Sequence, residues 1–319
     1  DRYPRAIYCS FHTTAGYLDQ ALAARLKHHG LRGYVGAFRA LFPEGAGYRH
    51  DDLHERAELT TEQRQVEPRN ADSHLAFMAA GLRTCVSYLN RPDEPVTFVD
   101  LDGVCEGRPR RRHTSVVGYH GEVAVERTRL QVPVSAHPID SINLKHPHLG
   151  LYERFDELIA RHGVTKGRLR IELAHGERQA GLTVNEYETL LMRHDLVEVL
   201  RNPVRFMVEK SRHALRDPRA IPAKTLGYAK YDLVRALNQL VEALGLSESR
   251  IERLLARAMA VPAERFLRMR RSISLLVSDR EGRSHGAIVE GPYQSPILVQ
   301  WHQANGRVRH LDVTLDRFI

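Results

Sequence analysis

Cysteine and tryptophan are scarce in this chain of 319 residues, with three of the first and one of the second. Cys9, Cys85 and Cys105 are an odd, widely spaced set with no CxxC pair. That argues against a disulfide framework and against a cysteine-rich zinc module. Long hydrophobic runs are missing as well. No apolar stretch approaches the ~20 residues that cross a bilayer, and nothing at Asp1 resembles a signal peptide. A cytoplasmic chain with no membrane partner is therefore expected. There is no GxxxxGK[ST] run, which sets aside a Walker P-loop.

Acidic excess is also absent. Lysine and arginine number 47 against 39 aspartates and glutamates, a formal charge of +8. Arginine dominates, with a cluster at Arg108, Arg110, Arg111 and Arg112. Such a surface attracts anions. No helix-turn-helix, RNA-binding strand motif or basic–aromatic stripe accompanies it, so nucleic acid is not the expected partner. A small anionic substrate is.

What the chain does contain is an echo of itself. The apolar stretch from Ala6 runs into Phe11-His12-Thr13-Thr14-Ala15-Gly16. A second, Leu169 to Ala174, runs into Glu177-Arg178-Gln179-Ala180-Gly181. Ala15 and Ala180 stand 165 residues apart. Both copies read as a strand, then Ala-Gly, then an amphipathic helix. An interval this long implies a duplicated domain, since solenoid repeats are shorter. The expected units are 1–118 and 119–319. In the first, Leu18, Leu22, Ala23 and Leu26 mark a helix over 18–29, residues 74–82 a short apolar helix, and Val96 to Leu101 a strand. In the second, Tyr152, Phe155, Leu158 and Ile159 mark a helix stopped by Gly163. Leu190, Leu191, Val197 and Leu200 mark another, after Glu186. Residues 230–260 have no counterpart in the first unit, and a helical insertion near 224–262 is expected there. Strands at both ends with helices between them predict an α+β fold with largely antiparallel sheets.

Three histidines stand in polar, turn-like settings: His12, His50 and His74. Three imidazoles plus water are a catalytic zinc pattern, and the same three could share acid–base work. With 18 histidines in the chain, spacing alone does not choose between these readings. Asp51, Asp52 and Asp72 flank them as ligands, tautomer-fixing partners or solvated loop charges. Asn70 is a candidate N-cap. Thr13 and Thr14, between a strand and a helix, could hold an anionic oxygen or simply cap. Glu186 could be a base or ligand, or a helix-start glutamate favoured by the macrodipole.

These residues resemble the YjbQ family, described as secondary thiamine-phosphate synthases. His12-Thr13-Thr14-Ala15 matches its His-Thr-Thr-Ala element. Tyr48-Arg49-His50 and Asn70-Ala71-Asp72-Ser73-His74 match its Tyr-x-His and Asn-Ala-x-x-His elements. Leu182-Thr183-Val184-Asn185-Glu186 looks like its Thr-Ile-Asn-Glu run, and Gly291-Pro292-Tyr293-Gln294 like its Gly-Thr-Trp-Gln turn. The first three elements lie in the first unit and the last two in the second. The resemblance implies compact α+β domains that associate as homo-oligomers, and a pocket for a metal or anion. It also points to joining a thiazole phosphate to a pyrimidine pyrophosphate, although the duplication and the lost elements suggest a specialised activity instead.

Two accounts of the second unit compete: a composite site that combines first-unit histidines with Glu186, Tyr293 or Gln294, and decay into a scaffold. On the enzyme reading, His12, His50 and His74 bind a divalent metal such as zinc or share proton transfer. Thr13, Thr14, Arg69, Asn70, Asp51, Tyr293 and Gln294 then contact a small polar substrate. On the other reading the chain is a non-catalytic binding or assembly protein whose basic surface meets an acidic partner.

Overall fold

The computed structural model describes residues 3–105, 107–201, 206 and 269–319. The helical stretch expected over 230–260 lies outside them.

The chain begins with strand β1 (Arg5–Ser10), whose Ala6, Ile7, Cys9 and Ser10 are buried, and a short strand β2 (Ala15–Tyr17). Helix α1 (Gln20–His29) follows; its N-cap Asp19 accepts the Leu22 N–H at 2.9 Å. Gly30, at φ +92°, ends it and starts α2 (Leu31–Leu41). Helix α3 (Thr61–Val66) carries a reciprocal Thr60–Gln63 capping box. Helix α4 (Ala71–Ala79) is almost wholly buried. Then come β3 (Cys85–Leu89), β4 (Phe98–Asp100), the small ribbon β5 (Val104–Cys105) and β6 (Arg108–Pro109), and β7 (Thr114–Tyr119).

The remaining elements are β8 (Glu122–Pro133), β9 (Asp140–Asn143), α5 (Leu151–Arg161), β10 (Gly167–Leu173) and β11 (Ala180–Asn185). A π-helical turn (Leu191–Asp195) then runs into α6 (Leu196–Arg201). The chain closes with β12 (Ser272–Ser278), β13 (Ala287–Val289), β14 (Ser295–Gln300) and β15 (Val308–Phe318).

All strand pairings among the described residues are antiparallel, and the fold is α+β. β1 lies between β3 and β7, and β10 lies between β12 and β15. β2 pairs with β4, and β11 pairs with β14. Isolated bridges join Tyr17 to Arg83 and Leu182 to Arg270. The order β3-β1-β7 of the first half resembles the middle of the order β13-β12-β10-β15-β8 of the second, while β13, β8 and β9 (paired with β14) have no counterpart in the first half.

The Ala-Gly pairs do not lead directly into helices, as the sequence pattern implied. Each opens a further strand, β2 or β11. The glycine is needed for close approach: a Cβ on Gly16 would press on the Arg83 carbonyl oxygen, and one on Gly181 on the Met269 side chain.

Three cores form. One is confined to the second half, around Phe155, Ile159, Leu169 and Val313. The largest is shared, because Leu191, Met192, Leu196, Val199 and Leu200 pack with Leu22, Tyr34, Phe38 and Phe77 of the first half. A small third core joins Ile7, Cys9, Cys85 and Tyr119 to Leu276. No helix among the described residues is long and apolar enough to cross a membrane.

The turn Gly291–Gln294 locks onto the first half. Gln294 Nε2 donates to the carbonyls of Ser10 and His12, both at 2.8 Å, and its Oε1 accepts the Gly291 N–H. A Cβ at Gly291 would overlap the Phe11 carbonyl oxygen, a backbone atom that cannot swing away. Gly291→Ala is expected to cost about 1–3 kcal/mol and to lower the melting temperature by several degrees. An unchanged melting curve would mean that this turn is not fixed to β1.

Candidate functional site

The structure brings His50, His74 and Glu186 together, with one ligand atom of each within 4.8 Å of the others. His50 follows Tyr48 in a turn held by Asp195, whose carboxylate accepts the backbone N–H groups of Arg49 and His50 at 3.0 and 2.9 Å. His74 sits on the buried face of α4. Glu186 follows the end of β11. Both histidines are buried, and Glu186 reaches solvent.

The hydrogen bonds assign the imidazole tautomers. Asn185 Nδ2 donates to the Thr13 carbonyl at 3.2 Å, and its Oδ1 accepts the Glu186 N–H at 2.8 Å. The oxygen so placed lies 2.7 Å from His74 Nδ1, which must then carry the proton. His74 Nε2 is left as a lone pair, 3.5 Å from Glu186 Oε2. His50 follows the same plan. Its Nδ1 lies 3.2 Å from Asp51 Oδ1, and Asp51 Oδ1 also accepts the Ala71 N–H at 3.1 Å. His50 Nε2 is 3.5 Å from Arg56 Nη1. Each ring is thus anchored through Nδ1 and presents Nε2.

Arg56 is buried beside them and gathers carboxylates. Its Nε reaches Glu58 at 2.7 Å, Nη1 reaches Glu67 at 2.8 Å, and Nη2 reaches Glu186 Oε1 at 3.2 Å. One guanidinium therefore faces three glutamates, with Asp51 close by. Asp51 Oδ2 is buried and has no hydrogen-bond partner among the described residues. The site carries more negative than positive charge when its histidines are neutral.

Burial, helped by the charge of His50, lowers the His74 pKa to about 3. For His50, burial works against the charged form, but the Asp51 hydrogen bond and the Glu186 charge outweigh it and its pKa is raised. Burial, with the nearby Asp51 charge, raises Asp72 to about 7.

A pH dependence follows for the metal-free protein. Between the ordinary histidine pKa of 6.5 and the value near 3, the unfolded chain holds a proton at His74 that the folded chain does not. His74 thereby contributes stability that rises with pH across that window, by up to ~1.4 kcal/mol per unit, and levels off above it, while Asp72, raised to about 7, contributes an opposing fall between its ordinary 3.8 and that value. His50, with its raised pKa, is protonated in both states there and adds no slope. Denaturant titrations of His74→Gln should lose the His74 rise relative to the parent protein between about pH 4 and 6. A profile parallel to that of the parent protein would show that His74 is not held neutral.

The other expected site residues fall elsewhere. His12 does not join the cluster. Its Nε2 accepts the His113 N–H at 2.8 Å, and its ring stacks at 6.1 Å on His113. Burial and the neighbouring Arg112 hold its pKa down. Glu186 takes the third position that His12 was expected to fill. Thr13 contributes its carbonyl to Asn185, and the Thr14 hydroxyl donates to Asp102 at 3.4 Å. Neither is at a helix N-terminus, because β2 intervenes. Asn70 precedes α4 but makes no side-chain cap; its Nδ2 donates to Asp102 at 2.8 Å. Asp51 caps that helix instead.

Gln294 has both amide N–H groups and its oxygen engaged by backbone, which leaves nothing for a substrate. Tyr293 and Arg69 are exposed. Glu186 is not the helix-start glutamate: Glu188 does that, accepting the N–H groups of Leu190 and Leu191 at 2.7 Å each. The arginine cluster is partly neutralised, with Arg110 on Asp102 and Arg112 bidentate on Asp100.

No family model and no curated protein matches the sequence. Solved structures do. A YbjQ-like protein of unknown function from Sulfolobus solfataricus is 15% identical with a TM-score of 0.31; the match covers 62% of this chain and 99% of that one. A hypothetical protein from Aeropyrum pernix is 17% identical with a TM-score of 0.30, over 60% and 98% of the two chains. An uncharacterized conserved protein of the YjbQ family from Clostridium acetobutylicum is 14% identical with a TM-score of 0.30, over 59% and 98%. Superpositions this loose fix neither fold nor function, and the site has to be understood from its own residues.

Proposed function

We propose that this chain is an enzyme of YjbQ-like descent, built from two diverged copies of one domain. Its site for a small anionic metabolite is a composite one, in which His50 and His74 of the first copy and Glu186 of the second hold a divalent cation such as zinc. The common pattern of β3-β1-β7 and β12-β10-β15 and the matched bridges at Tyr17 and Leu182 support the duplication. The observation that carries the site is the orientation of the rings. Two imidazoles are fixed through Nδ1 by a carboxylate and an amide oxygen, so both turn Nε2 inward. That is the second-shell arrangement typical of histidine metal ligands.

The residues fit a cation. His74 Nε2 and Glu186 Oε2 are both acceptors at 3.5 Å, a contact that needs a positive charge or a proton between them. Zinc–nitrogen bonds of about 2.0–2.1 Å keep two ligand atoms within about 4.2 Å of each other, so the cluster would need to close only slightly. A bound divalent cation supplies Lewis acidity and charge stabilisation. The protein supplies the rest. His74 and Glu186 would hold the cation through Nε2 and Oε2, Arg56 orients Glu186, and the exposed Arg69 is a first contact for an anionic group. Homo-oligomers fit the same descent.

The burial of both histidines favours a second reading, a structural cation site that ties the two halves together without catalysis. The first experiment is metal analysis and competitive zinc titration of chelator-treated protein. One equivalent per chain, lost in His50→Ala and His74→Ala, supports the site. Absence of a stoichiometric divalent cation would sink it. Cobalt substitution then separates the readings: exogenous azide perturbs the spectrum of an open site and leaves that of a closed one unchanged.

A further inference from the structure

A small cavity with a mixed polar and apolar lining lies where the two halves meet, and it is independent of the cation reading. It is lined by Arg83, Thr84, Thr183, Arg270, Ser272 and Ser274, among others. The two arginines occupy matching places. Arg83 bridges Tyr17 two residues after Ala15, and Arg270 bridges Leu182 two residues after Ala180. Their guanidinium groups are neighbours, and burial together with the Arg270 charge lowers the pKa of Arg83.

The charges there do not balance. Arg270 Nη2 reaches Asp19 at 2.9 Å and the Gly81 carbonyl at 2.8 Å. Arg83 makes no side-chain hydrogen bond or ion pair among the described residues, and its Nε is buried without a partner. Arg270 Nε is buried and unpartnered too. Two guanidiniums thus share one carboxylate. A half-buried like-charge pair with enclosed, unused Nε donors gains from an anion that completes it. Hydroxyl groups around the cavity add neutral donors, and a guanidinium is the side chain best shaped for an oxyanion.

We propose that this cavity is a binding site for a small tetrahedral oxyanion, phosphate or sulfate, clamped between Arg83 and Arg270. Backbone geometry is adapted to the clamp. Gly81 has φ +64°, and a Cβ there would stand 2.8 Å from Arg270 Nη2. The positive φ favours glycine, and Arg270 lies directly across this turn. The cavity is also close to His74 and Asn185. Met78 lines it four residues after His74, about 6 Å along α4. Thr183 lines it two residues before Asn185 on β11.

The test uses the full chain in chelator, so that the cation site has no part in the result. Inorganic phosphate and sulfate are titrated calorimetrically at constant ionic strength, with chloride as the reference, and melting curves are recorded in each. One saturable site per chain is expected, with a phosphate-dependent rise in melting temperature. Both ions stabilise proteins non-specifically, so the variants decide. Arg83→Met should lose the saturable heat, yet melt in chloride no lower than the parent, because it removes an uncompensated charge. Arg83→Lys keeps the charge and loses the fork, and its affinity should fall at least about tenfold. Two results would overturn the proposal: no saturable binding by the parent, or equal binding by Arg83→Met. Glycerol 3-phosphate distinguishes the source. Competition by the ester assigns the phosphoryl group of a metabolite, and its exclusion assigns the free ion; either supports the site.

Discussion

Glu186→Gln is expected to weaken zinc binding by about 100-fold or more, while the melting temperature of the metal-free protein stays the same or rises. Loss of an outer-sphere partner alone costs about 10–100-fold in metal affinity, and a ligand should cost no less. The stability expectation comes from geometry. In the parent chain His74 Nε2 and Glu186 Oε2 are two acceptors facing each other at 3.5 Å. Glutamine can turn its amide N–H toward that lone pair and make a hydrogen bond where there was a mismatch. Its carbonyl can still accept from Arg56, which keeps Glu58 and Glu67 as charged partners. Competitive titration with a chromogenic chelator reads the first effect, and calorimetric melting the second. Zinc affinity within a factor of three of the parent would remove Glu186 from the ligand set. A large fall in melting temperature would mean that its charge is structural.

Local pattern gave away much of the scaffold, and the exceptions have physical causes. Strands β1 and β10 fall where short apolar runs put them. Helix α4 begins three residues before the expected 74–82. Its first N–H is capped by Asp51, twenty residues upstream, a partner no local pattern reveals. The helix after Glu186 was expected to bury Leu190, Leu191, Val197 and Leu200. Leu191 and Leu200 are buried, joined by Met192, Leu196 and Val199, while Leu190 and Val197 are only half-buried. The π-helical turn at Leu191–Asp195 inserts an extra residue into the repeat and rotates the apolar face.

The site was legible in its parts and not in its assembly. The histidine elements and the Asn-Glu run were visible as motifs, but they lie on different halves of the chain. His12 was misleading because its motif serves through backbone. The Thr13 carbonyl holds Asn185, and the carbonyls of Ser10 and His12 receive Gln294. Arg56 was missed, since His54-Glu55-Arg56-Ala57-Glu58 reads as a solvated charge run. Asp195 did leave a signal: a carboxylate four residues after Leu191, within the apolar stripe, is placed to be buried and to need partners.

Arg56→Met is expected to be the most destabilising single change at the site, at about 3–5 kcal/mol near neutral pH. The side chain is 3% exposed, and it is the shared partner of Glu58, Glu67 and Glu186. Methionine fills comparable space, so packing is largely kept and the charge is the main loss. Three carboxylates would then crowd one region, two of them largely shielded from water, beside Asp51 Oδ2, which already has no partner. The deficit should shrink as pH falls into the carboxylate range, because protonation removes the repulsion. It should also shrink when zinc is added, since a cation near His74 and Glu186 would replace part of the lost charge. Urea denaturation at about pH 7 and pH 4.5, with and without zinc, reads all three effects. Arg49→Met is the control, because the Arg49–Glu55 pair is 51% and 42% exposed and its loss should matter little. If Arg56→Met behaves like that control at neutral pH, these glutamates do not depend on the guanidinium. The local excess of negative charge would then be too well solvated to demand a cation.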